Sequence, residues 1–350
     1  MARTAADIAS RRILRLALGT SMCMAFALLI NWPLSFMSAV FTMFLLALPL
    51  PPPTLKSGIK FVVALVLPAY AGMLLLPFLE FARWSGVLLV MLALYGSFYY
   101  SARGGSPVMG MFMTLGITMV VTVGSISSEI MLIVVNGIAI GAACGIAFFY
   151  FAHALLPDLS LQQANGPAPR PPAPPKPALD VARRTAFRSW AVVLPLVVIF
   201  LFNSSSTSYV AVMIKVASMG QQASSEASRS MGMEQLESTL WGGLGAIVAW
   251  QVMSIWPSLL IFILLIGLAC LLYGARVFQG PGMHPKAGMW SYALLTMIIL
   301  ITPAVMDSQG GSNAAMAFYT RLLLFVVIAI YGTVSVAVFD TFWPAKPRPA

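Results

Sequence analysis

The chain has 350 residues, of which 60% are hydrophobic and only 9% charged, against about 25% charged in a soluble domain. So little polar surface excludes a soluble globular fold, and most of the chain must face lipid or helices that do. The net charge of +10 does not mark a nucleic-acid binder, because no basic cluster is interleaved with aromatic residues as such an interface requires.

In chain order, apolar segments run over 13–31, 34–50, 59–79, 86–100, 106–125 and 129–156, and then over 188–203, 205–219, 239–255, 257–273, 287–306 and 312–338. The expected fold is all-α and polytopic, with about twelve transmembrane helices, several near the ~17-residue lower limit for a span. The first segment follows Arg11, Arg12 and Arg15 as a signal peptide would, but runs to Trp32-Pro33 without a small-residue cleavage site, so a retained helix is expected. Reading 188–219 as two short helices joined at Asn203–Ser208, rather than as one long helix, keeps the later basic residues on the same side as the earlier ones. With the amino terminus inside, every Lys and Arg except Arg83 and Arg321 then falls on the cytoplasmic side, with Lys215 snorkelling to it. That bias predicts both termini in the cytoplasm.

Residues 1–157 form the first expected membrane unit and 188–344 the second, joined by a Pro-rich cytoplasmic linker at 158–187 and followed by a tail at 345–350. The linker, with its Pro167–Pro177 stretch, has too little apolar surface to fold and reads as an extended strap. A polar loop is expected near 220–238. The two units look like fused copies. Tyr100-Ser101-Ala102-Arg103 and Tyr273-Gly274-Ala275-Arg276 stand 173 positions apart, as do Arg11 and Arg184, and Arg15 and Arg188. Two six-helix copies facing the same way would be related by an axis along the membrane normal, a plan in which the substrate path lies between the halves.

Few residues offer chemistry. Cys23, Cys144 and Cys270 stand singly in apolar runs and indicate neither a disulfide frame nor a metal site. His153 and His284 lie at cytoplasmic span ends with no carboxylate or Cys at ligand spacing. No catalytic residue, metal or cofactor is expected, and a membrane enzyme would need a nucleophile–base pair or clustered carboxylates. Arg321, nine residues into the last span and so about 13 Å deep, is the strongest single signal, since a guanidinium at that depth faces a cavity or a partner. Two readings stand: a structural pair with Asp307, or a site for an anionic substrate whose carboxylate fits the guanidinium fork. Asp307, in turn, is either a helix-end carboxylate or a proton relay. Glu80 and Arg83 read as a solvated loop pair. Arg103-Gly104-Gly105-Ser106 reads as an anchor and turn before Pro107, or as an anion-binding mouth together with Arg276.

Leu14-Arg15-Leu16-Ala17-Leu18-Gly19 with Trp32-Pro33, Ala102-Arg103-Gly104-Gly105-Ser106-Pro107, His153-Ala154-Leu155-Leu156-Pro157 and Thr320-Arg321-Leu322-Leu323 resemble the fusaric acid resistance / aromatic acid exporter superfamily, in particular an uncharacterised bacterial branch of it. The larger exporters of that group carry sizeable cytoplasmic domains, whereas this chain has only the linker and the tail. The resemblance implies an inner-membrane efflux subunit for aromatic or hydrophobic organic acids, driven by protons and partnered by a periplasmic membrane-fusion adaptor. The alternatives are a non-transporting assembly or scaffold protein and, third, a membrane enzyme.

Overall fold

The computed structural model describes residues 5–32, 34–49, 54–105, 107–124, 128–158, 177–202, 210–223, 228–279, 282–309 and 313–344. The first half contains α1 (Ala5–Ile30), α2 (Phe36–Ala47), α3 (Leu55–Met73), the short α4 (Leu76–Phe81), α5 (Arg83–Ala102), α6 (Pro107–Gly124) and α7 (Ser128–Leu155). The second contains α8 (Leu179–Phe202), α9 (Val210–Ala223), α10 (Ser228–Ile255), α11 (Leu259–Val277), α12 (Ala287–Gln309) and α13 (Ala314–Phe342), with a two-residue antiparallel hairpin of β1 (Phe278–Gln279) and β2 (Gly282–Met283) after α11. The molecule is a helical, multi-pass membrane protein.

Every expected apolar segment contains a helix, yet not every helix has the length of a span. Among the described residues nine are long and apolar enough to cross a bilayer. The shorter ones include α2, whose 12 residues cover about 18 Å of a hydrocarbon layer about 30 Å thick. Its surroundings explain how so short a helix is kept: every residue of α2 except Phe44 is buried. In α9, residues 212–220 are likewise all buried. A helix that is apolar all round belongs inside a bundle, and these two are the interior posts of their halves. Several boundaries also differ from expectation. Arg11, Arg12 and Arg15 lie on α1 rather than ahead of it, α8 takes up the last residues of the linker, and α10 takes up most of the expected polar loop.

In the first half α1 packs on α2 and α7, α2 on α7, and α3 on α6. In the second α8 packs on α9 and α13, α9 on α13, and α10 on α12. Between the halves, α1 lies along α11 and α5 along α8, while α6 meets α9 and α2 meets α12.

Candidate functional site in the second half

The buried face of α13 consists of Ala314, Phe318, Arg321, Phe325, Ile328, Ala329, Gly332 and Val336, the three-and-four spacing of one helix stripe. Arg321 belongs to that stripe, so its position in the sequence forces the guanidinium inward. It is 4% exposed and its Nη2 donates to Asp307 Oδ2 at 2.6 Å. Asp307 lies in the last turns of α12, not in the loop after it. The helix begins at Ala314, which sets Arg321 about 10 Å in. The structural pair foreseen from sequence is therefore present. It does not exhaust the guanidinium, because Nε and Nη1 of Arg321 are buried without a hydrogen-bond partner among the described residues. Such donors cost about 1–3 kcal/mol each when unmet.

Lys215 is the residue that sequence reasoning misplaced. It does not snorkel: it is 3% exposed, with Nζ 3.3 Å from Thr296 Oγ1 on α12 and 5.9 Å from the centroid of the Phe325 ring on α13. α9 continues to Ala223, so the Cα of Lys215 lies about 12 Å from that helix end, and its neighbours on α12 and α13 are mid-helix residues. No carboxylate of the described residues is within ion-pair distance of it. Phe325 follows Arg321 by one turn on the same buried stripe, so both cations face the interior between α9, α12 and α13. The signal was available in the repeat: at the 173-residue offset Lys215 is the mate of Thr42, which in the first half bonds the carbonyls of Ser38 and Gly145. One half thus places a hydroxyl on its interior post and the other an amine.

The basic residues leading each half also acquire a definite role. Arg11 Nη1 donates to Pro157 O at 3.0 Å and Arg15 Nη2 to Asp158 Oδ1 at 2.5 Å, so α1 is fastened to the end of α7. Arg184 Nη2 donates to Asp340 Oδ1 at 2.9 Å, its Nε to Trp343 O at 3.0 Å, and Arg188 Nη1 to Asp340 Oδ2 at 3.2 Å. These fasten α8 to the end of α13. Arg188 is 2% exposed. Asp340→Ala, which takes this carboxylate from both Arg184 and Arg188, is expected to cost about 3 kcal/mol and to lower the thermal midpoint of the purified protein. An unchanged midpoint would show the fastening to be ornamental.

The remaining expected site residues do not join this interior. Arg103 caps α5 and its Nη1 donates to Pro177 O at 3.3 Å. Gly104 has φ +88°, a backbone state that glycine adopts freely, and Gly105 N donates to Tyr100 O at 3.1 Å, so the segment is a helix-ending turn; Ser106 lies outside the described residues. Arg276 ends α11 and lies over the Trp290 ring, 5.6 Å from its centroid. Arg83 sits 4.4 Å from the centre of the Phe202 ring instead of pairing with Glu80. Cys23 is buried and Cys144 half-buried, and both are free thiols. Among the described residues there is no cluster of His, Cys, Asp and Glu suited to a metal.

A family model described as a protein of unknown function (DUF2955) matches residues 12–152. That stretch runs from the arginine cluster of α1 to the last turn of α7, the first membrane half, and leaves Lys215, Asp307 and Arg321 outside it. No curated protein and no solved structure matches the chain.

Proposed function

We propose that this chain is the membrane subunit of a bacterial inner-membrane efflux system for aromatic or hydrophobic organic acids, proton-coupled and working with a periplasmic adaptor. The observation that carries the reading is the pair of interior cations, Lys215 and Arg321, of which Lys215 bonds only the Thr296 hydroxyl and Arg321 the carboxylate of Asp307 among the described residues. An unpaired charge within a membrane bundle is costly and is kept where it lines a path. Here the surplus is positive, which suits an anion. The walls suit an aromatic one: Phe318 and Phe325 flank Arg321 on its own stripe, and Trp250 stacks on Phe318 at 5.1 Å between centroids. In this scheme a substrate carboxylate takes the free Nε and Nη1 edge of Arg321, and protonation of Asp307 releases the guanidinium to it. The resemblance of the chain's short motifs to the aromatic acid exporter superfamily favours the same substrate class and the adaptor.

The proposed architecture is two parallel six-helix repeats about an axis along the membrane normal. The packing supports it, since α1 on α11 has its counterpart in α8 on α5, α3 on α6 in α10 on α12, and α2 on α7 in α9 on α13. Each half also carries the same arginine fastening. Cysteines introduced at Ala164 and Ser205 are expected to label from opposite sides of the membrane, the first from the cytoplasm; labelling of both from the periplasm would end this topology. Cells expressing the chain with its adaptor should retain less of an aromatic carboxylate, such as a substituted benzoate, than cells without it. Equal retention in the two would remove the export reading.

A further inference from the structure

An apolar groove of about 480 Å³ runs between α10 and α11 with α12 as its floor, within the size range of small-ligand sites. Its polar and aromatic groups gather at one end. There Trp290 lies 5.7 Å from Trp241 and 6.1 Å from Tyr273, centroid to centroid, and the Arg276 guanidinium covers the Trp290 ring. Away from that mouth the lining is aliphatic, with Leu244, Val248, Leu265 and Leu268 along the walls and Met297 beneath. The mouth is braced: Tyr273 Oη donates to Trp241 O at 2.7 Å. That bridge depends on Gly245, where a Cβ would stand 2.5 Å from the Tyr273 hydroxyl.

A cation at an aromatic rim above a lipid-facing aliphatic slot has the polarity of an amphiphile. We propose that this groove binds one anionic phospholipid, its phosphate on Arg276 and one acyl chain between α10 and α11. Three observations select that occupant. The groove opens on helix faces that carry exposed Leu244, Val248, Leu268 and Leu272, so the bilayer itself supplies what fills it. No described residue accepts a hydrogen bond from Arg276, whose planar fork matches a phosphate. The nearest acid on α10, Glu237, is held by Lys286 at 2.8 Å and does not neutralise it. Under the proposed topology the mouth lies at the cytoplasmic end of the helices, where basic pockets between helices meet anionic headgroups. The site is separate from the Lys215 and Arg321 interior and does not depend on the export reading.

The test is lipid retention by the purified full-length chain in mixed micelles, read by native mass spectrometry with phosphatidylglycerol and phosphatidylcholine as probes. Wild type is expected to hold about one phosphatidylglycerol in preference to phosphatidylcholine. Arg276→Gln should weaken phosphatidylglycerol retention at least about tenfold without lowering the thermal midpoint. Val248→Trp, at an exposed wall position, should fill the slot and weaken both lipids. Equal retention of the two lipids by wild type would overturn the proposal, as would undiminished phosphatidylglycerol binding by either variant.

Discussion

Arg321→Lys is expected to insert and accumulate like the wild type and to lose at least about nine-tenths of its export activity, a cost of about 1.4 kcal/mol or more in the transport barrier. The reasoning starts from the donors. In the resting state Asp307 occupies Nη2 only, at 2.6 Å, while Nε and Nη1 stay buried and open. Lysine keeps the charge and the tie to Asp307, so the helix pair survives. It has no planar fork, so the two-point hold on a carboxylate is lost. Arg321→Gln should lose export equally while leaving Asp307 without its cation, so a lower yield is expected of it. Asp307→Asn removes the carboxylate proposed to release the guanidinium on protonation, and the pH dependence of the remaining export should flatten. Wild-type export by a well-expressed Arg321→Lys protein would confine the pair to holding α12 against α13.

Lys215→Met is expected to separate stability from function. The residue is 3% exposed, with one hydroxyl and one ring as the described partners of its ammonium. Burying a charge with so little compensation is unfavourable, and apolar replacements of buried charged groups are often stabilising by about 1–4 kcal/mol. Methionine fills a similar volume among Thr296, Phe325 and the wall of α9. The variant should therefore melt at or above the wild-type temperature, yet export an anionic aromatic compound at least about tenfold more slowly. Thermal unfolding of purified protein and efflux from cells, measured on the same preparations, would check both halves. A protein that melts far lower would make Lys215 a structural residue. The reciprocal change, Thr42→Lys at the equivalent place in the first half, would test whether the asymmetry matters, since its hydroxyl is tied to the Ser38 and Gly145 carbonyls.

The helical segments were legible because twenty-residue apolar runs separated by Gly and Pro leave little choice of structure in a membrane. Arg321 was legible too: a lone cation within a long apolar helix must turn inward, and Asp307 was the acid within reach. The role of the leading arginines was not, since charge bias alone explains Arg11, Arg15, Arg184 and Arg188. Only the fold brings Asp158 and Asp340, more than a hundred residues further along the chain, to their side chains. Lys215 was misread for a related reason. Near the expected end of a short span, snorkelling is the ordinary outcome, but α9 is longer than its apolar core and is enclosed by α12 and α13. Burial of that kind is a property of the bundle and leaves no mark on the local sequence. The groove mouth is similar: Trp241, Tyr273, Arg276 and Trp290 come from three helices, and nothing in their spacing announces that they meet.

We propose that the cations inside the second half carry an organic anion across the bilayer. The direct measurement is uptake of a radiolabelled aromatic carboxylate into everted membrane vesicles under an imposed pH gradient, acid inside, for wild type, Arg321→Lys and Lys215→Met at matched protein levels. Gradient-dependent uptake by the wild type that falls at least about tenfold in both variants is the predicted result. Uptake that is independent of the gradient, or equal in all three proteins, would contradict it.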